Sequence, residues 1–163
     1  MKKRLILSIC LLMVCFINVN AQKIKLFSSY EKNEDNGTRY VVVLDNNSIF
    51  WFAPGSPWKK SSTEGLPTGN INFFSAYEKN EANGTRYVAV MDDNSIWWFV
   101  PGSPWKKSST TGLPDGYKIV QFQAYEKNTA NGTRYVATLA DGNIWWFSPD
   151  SGWKKSAMDG LPK

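Results

Sequence analysis

The sequence contains no histidine, and its two cysteines, Cys10 and Cys15, both fall in the first fifteen residues. Without imidazole, and without a thiol beyond residue 15, His/Cys zinc sites, haem ligation and Ser-His or Cys-His catalytic arrangements are excluded. A disulfide-stapled miniature is excluded too, so stability must come from packing. Helix signals are also missing. No stretch combines a 3.6-residue apolar period with capping residues, and almost no helix is expected.

The start of the chain has a different character. Lys2, Lys3 and Arg4 precede an apolar run over residues 5–18, and Val19-Asn20-Ala21 places a small residue at a plausible cleavage point. This is the layout of a secretory signal peptide over residues 1–21. The run is too short for a membrane span. Neither cysteine follows the small residues that a lipoprotein signal needs, so no lipid anchor is expected. Removing 1–21 takes away three of the 19 basic residues. The 16 that remain, against 14 acidic ones, lower the formal charge from +5 to +2. A charge of +2 gives no nucleic-acid footprint. The expectation is a single repeat domain over 22–163, exported, secreted or periplasmic, with no membrane span in the mature chain and no cofactor.

What the sequence does have is repetition. YEKNEDNGTRYVVVLDNNSIFWFAPGSPWKKSSTEGLP starts at Tyr30. Its near copies start at Tyr77 and Tyr125, offset by 47 and 48 residues. Residues 23–69 and 70–116 agree at 35 of 47 positions, so the chain is read unit by unit: 23–69, 70–116 and 117–163. Each unit reads as four short strands. In unit 2 these are Ile71 to Lys79, Thr85 to Met91, Ser95 to Val100, and a short strand starting at Trp105. Asn-Gly dipeptides join the first two strands, the strongest short hairpin signal. Asp92-Asp93-Asn94 and the proline-glycine turn from Pro101 to Pro104 join the others.

These strands are apolar on both faces. Tyr87, Ala89 and Met91 alternate with Val88 and Val90; Ile96 and Trp98 alternate with Trp97 and Phe99. A sheet with one wet face would alternate apolar with polar. Each sheet must therefore be covered on both sides, as the blades of a β-propeller are. The Trp-led outer strand, the Gly-Leu-Pro connection and the aromatic strand within YVATLADGNIWWF resemble the tandem-repeat propeller lectins of the tachylectin and tectonin type. That resemblance implies blades and glycan binding. Three blades do not close a ring, so an open arc closed by a homo-oligomer, with a dimer favoured, is the expected arrangement. A β-trefoil or β-prism with internal threefold symmetry is the alternative.

Asp45, Asp92, Asp93 and Asp141 lie in tight turns without the spacing of a calcium loop and read as ordinary turn residues. Glu31, Glu78 and Glu126 recur beside lysine. Three equivalent copies argue against a unique active site and for multivalent binding, so an enzyme is not expected. Trp58, Trp105 and Trp153 each follow a turn and precede Lys-Lys, which places them near a rim where a flat ring stacks on a sugar. Arg39, Arg86 and Arg134 recur after Asn-Gly-Thr and could grip a hydroxyl or carboxylate. Tyr30, Tyr77 and Tyr125 complete the candidate set. The Trp pairs of the third strands, such as Trp97 and Trp98, read as packing. The expected function is an exported, multivalent carbohydrate-binding protein with one weak site per repeat, whose partners are glycans or a cell-surface molecule. A non-catalytic envelope or secreted interaction scaffold is the alternative.

Overall fold

The computed structural model describes residues 22–32, 37–79, 84–126 and 132–161. The expected signal peptide, 1–21, lies outside them, as do the asparagines of the three Asn-Gly turns. Gly37, Gly84 and Gly132 of those turns are described. Their φ values of 56°, 60° and 58° are what a glycine supplies to a tight hairpin.

Among the described residues, twelve strands form three separate four-stranded antiparallel meanders. The first holds β1 (Ile24–Glu31), β2 (Thr38–Leu44), β3 (Ile49–Phe52) and β4 (Lys59–Lys60). The second holds β5 (Ile71–Glu78), β6 (Thr85–Met91), β7 (Ile96–Phe99) and β8 (Lys106–Lys107). The third holds β9 (Ile119–Glu126), β10 (Thr133–Leu139), β11 (Ile144–Ser148) and β12 (Gly152–Lys155). The turn after each second strand is held by a side chain. The Asn46, Asp93 and Asp141 Oδ1 atoms accept from the backbone N–H two residues on, at 2.9, 2.8 and 3.0 Å. That is the ordinary turn role expected of Asp93 and Asp141, and Asn46 fills it in unit 1.

The two-sided apolarity is accounted for by what covers the middle sheet. Tyr87, Ala89, Met91 and Phe99 lie in one core with Val41, Val43 and Ile49 of the first sheet. Val88, Val90 and Ile96 lie in a second core with Tyr135, Ala137 and Phe147 of the third sheet. The face turned to the preceding unit is called here the leading face, and the other the trailing face. A bulge in each first strand, between Ile71 and Phe73 in unit 2, shifts the alternation by one residue. Ile71 thereby joins Phe74 on the leading face, although they are three apart. Fully burying a side chain such as Ile71 or Val88 contributes roughly 1.5–3 kcal/mol.

First strands pack on first strands, β1 on β5 and β5 on β9. The architecture is three propeller-like blades in an open arc. The β-trefoil and β-prism alternatives are set aside for a physical reason. No strand hydrogen-bonds across from one described sheet to another, as a closed barrel needs. The middle sheet also meets its two neighbours on opposite faces, whereas the sides of a prism share one interior.

Each junction is laced by polar contacts. Ser28 Oγ accepts from Ala76 N at 2.9 Å. Ser75 Oγ accepts from Ala124 N at 3.1 Å and donates to Ala124 O at 2.9 Å. Asn47 and Asn94 sit at φ 62° and 63° and accept from the N–H groups of Ile71 and Ile119, which open the next sheets. Trp105 N and Trp153 N donate back to Glu64 O and Thr111 O, in the connection of the preceding unit. Gly65, at φ 81°, lets that connection approach. A Cβ there would stand 2.8 Å from Trp105 O, and at Gly112 it would be closer still to Trp153 O. This is the physical content of the Gly-Leu-Pro motif.

Candidate functional site

Where two sheets meet, their inner packing leaves an open cleft at one end, and the cleft occurs twice. The first, of about 350 Å³, lies between units 1 and 2. Tyr30, Lys32, Arg39, Trp51, Lys60, Ser61 and Ser62 form one wall, and Thr85, Tyr87, Phe99 and Pro101 the other. The second, of about 340 Å³, lies between units 2 and 3. Tyr77, Lys79, Arg86, Trp98, Lys107, Ser108 and Ser109 face Thr133, Tyr135, Phe147 and Pro149. Every residue named for the second is the repeat equivalent of one in the first.

The fold brings these residues together by strand phase. Tyr30, Val41 and Trp51 occupy the trailing face of sheet 1. The wall opposite, Tyr87 and Phe99, is the leading face of sheet 2 seen from the open end. A hydrogen-bond chain crosses each cleft. Thr85 Oγ1 donates to Glu78 Oε2 at 3.1 Å, so its single proton is spent and the Tyr30 hydroxyl donates to it at 2.9 Å. Tyr77 and Thr133 repeat the contact at 3.0 Å. Burial raises the Tyr30 phenol above its ordinary value and pushes Tyr77 up to about 12, so both remain donors at neutral pH. Burial also raises the carboxyls of Glu78 and Glu126, opposed by their threonine partners and by nearby Lys and Arg charges.

Lys59 Nζ lies 5.1 Å from the Trp51 ring centre and Lys106 Nζ 5.4 Å from that of Trp98. These cation–π contacts fix the half-buried indoles at the cleft wall. Arg39, Arg86 and Arg134 each donate to the carbonyl of the preceding threonine, at 3.3, 3.0 and 2.9 Å. Arg39 and Arg86 line the clefts.

The expected rim tryptophans divide. Trp58 is 47% exposed and packs its ring 5.2 Å from Phe52. Trp105 and Trp153 are each only 3% exposed. Their indole N–H groups donate to Ser62 O and Ser109 O of the preceding unit, at 3.0 and 3.1 Å. They offer no free ring face and do not lie at a rim, contrary to the expectation from the sequence, because the preceding unit covers them. Tyr30 and Tyr77 line clefts, while Tyr125 stands 39% exposed on the trailing face of sheet 3. Trp51 and Trp98, read from the sequence as packing, do pack against the two cores and also line the clefts, where Thr85 and Thr133, not singled out in the sequence, join them. A usable signal existed: Trp51 and Trp98 lie directly across from Lys59 and Lys106 in the strand register.

Among the described residues no cluster of acidic groups could hold a metal ion, and no helix is long and apolar enough to cross a membrane. No family model and no curated protein matches the chain. Among solved structures it is similar to a fucose-specific lectin from Aleuria aurantia, at 17% identity and a TM-score of 0.49. That likeness covers 83% of this chain but half of the lectin's length. It carries no argument about ligand.

Proposed function

We propose that the protein is a non-catalytic, multivalent carbohydrate-binding protein that is exported and takes one sugar in each inter-sheet cleft. The observation that supports this is the duplication of one cleft chemistry. Each copy combines an indole wall, tyrosine and serine hydroxyls, a threonine, two lysines and an arginine. A pyranose has an apolar face for the indole and a ring of hydroxyls for the donors, and a volume of this size suits a mono- or disaccharide. The cationic residues favour sugars bearing a carboxylate or sulfate. Two shallow, equivalent sites bind weakly one at a time and gain strength on a multivalent glycan surface.

The test is a glycan array that includes neutral, uronate-containing and sulfated sugars, followed by calorimetric titration of the best ligand. The reading predicts millimolar to micromolar binding in the clefts, with the two inside each chain equivalent. It fails if no sugar binds at millimolar concentration.

A further inference from the structure

Among the described residues, the leading faces of sheets 2 and 3 are covered and that of sheet 1 is not. Phe27, Tyr40, Phe52 and Trp58 form the same ring ladder as Phe74, Tyr87, Phe99 and Trp105, with ring centres 5.2–6.0 Å apart. Yet Phe27 is 58% exposed where Phe74 is 9%. At the other end of the arc, the trailing face of sheet 3 keeps its half of a cleft. Tyr125, Arg134, Trp146 and Lys155 stand where Tyr77, Arg86, Trp98 and Lys107 stand in unit 2. Lys154 Nζ still lies over the Trp146 ring, 5.6 Å from its centre.

We infer that a second copy of this chain covers both surfaces, head to tail, and that each junction between copies completes a further cleft of the same kind. The chain itself shows what fits the leading face, because a trailing face of the same repeat covers it twice. In the new junction Tyr125 meets Thr38 of the second copy, as Tyr30 meets Thr85 and Tyr77 meets Thr133. Trp58 takes the buried place of Trp105. Two copies arranged this way have two equal junctions and no uncovered face. With two clefts inside each chain, the pair holds six: four within chains and two shared.

The shared junction differs in strength. Gln121, Thr138 and Gly142 replace Phe73, Val90 and Asn94, and Gln121 Oε1 accepts from Thr138 Oγ1 at 3.2 Å. This trailing face is more polar than those inside the chain, and Gly142 has no side-chain oxygen to accept a strand-opening N–H as Asn94 accepts that of Ile119. The copies therefore separate on dilution while the internal junctions hold.

The role of these clefts as ligand sites rests on the proposed sugar binding, but the assembly is testable without any sugar. Light scattering across a concentration series should give the mass of two chains, falling toward one on dilution. Phe27→Lys and Thr138→Lys each place a charge in the junction, one from either side. Each alone should give the one-chain mass with the near-ultraviolet signal of the buried tryptophans intact. Mixing them should restore a two-chain species, because one junction in the mixed pair is wild type on both sides. A wild-type protein at the one-chain mass at every concentration overturns the inference. So does a Thr138→Lys variant that stays at two chains, which would mean contact between leading faces alone. Loss of all sugar binding with the two-chain mass preserved would count against the clefts and leave the assembly standing.

Discussion

Trp58 and Trp105 sit in the same nine-residue string, GSPWKKSST, and meet opposite fates. One is exposed; the other is sealed beneath the preceding unit with its indole N–H bonded to a carbonyl there. Their local sequence is the same and so is their ring ladder. The difference is the neighbour, supplied by residues some 43 positions earlier. Burial in this fold is thus a property of a junction between units. The clefts share that property, since each draws one wall from one unit and the other wall from the next.

The largest effect separating covered from uncovered positions should come from the tryptophans. Trp153→Ala should destabilise by about 3–5 kcal/mol, because it empties a packed site and strands the Ser109 carbonyl. Trp58→Ala at matched dilution should cost less than about 1 kcal/mol. Chemical denaturation of the two variants measures this; equal costs would break the comparison.

The glycines give the next contrast. Gly112→Ala forces a Cβ against the Trp153 backbone and should cost roughly 1–3 kcal/mol. Gly160 is its repeat equivalent, with φ 86° but nothing within 4 Å of a Cβ. Gly160→Ala should cost only the strain of a left-handed residue, on the order of 1 kcal/mol. The gap between the two thermal midpoints isolates the close approach.

A smaller effect is expected at the tyrosine–threonine bridges. Tyr77→Phe removes one buried hydrogen bond and should cost about 0.5–1.5 kcal/mol. The same hydroxyl makes the fold sensitive to alkali. Its pKa is raised from 10 to about 12, chiefly by burial, so the unfolded chain loses this proton first. The contribution is whole below pH 10 and is lost as pH rises through about 12. Tyr87 and Tyr135 are raised further still, also by burial. Denaturation midpoints should therefore drop between pH 10 and 12, and Tyr77→Phe should flatten part of that slope. A midpoint constant across this range contradicts the burial of these phenols.

The strands were legible in the sequence because turn residues and alternation are local signals. Thr85 to Met91 forms β6 as the β-branched and aromatic run indicates, and its two faces enter different cores. The assignment of tryptophans to roles was not legible. Trp98 in β7 and Trp105 just before β8 are both aromatic residues at short strands, and only the packing of one unit on the next decides which lines a cleft and which is buried. The tyrosine–threonine bridges were hidden for the same reason: their partners lie 55 and 56 residues apart and belong to different units.

The central claim is that ligand enters the clefts between units, and the eight indole N–H signals of the protein report on it directly. A two-dimensional nitrogen–proton spectrum, recorded while the best glycan from the array is added, should move Trp51 and Trp98 together. The signals of Trp105 and Trp153 should stay in place. A response confined to Trp58, or shifts in Trp105 and Trp153 without Trp51 and Trp98, would contradict the account.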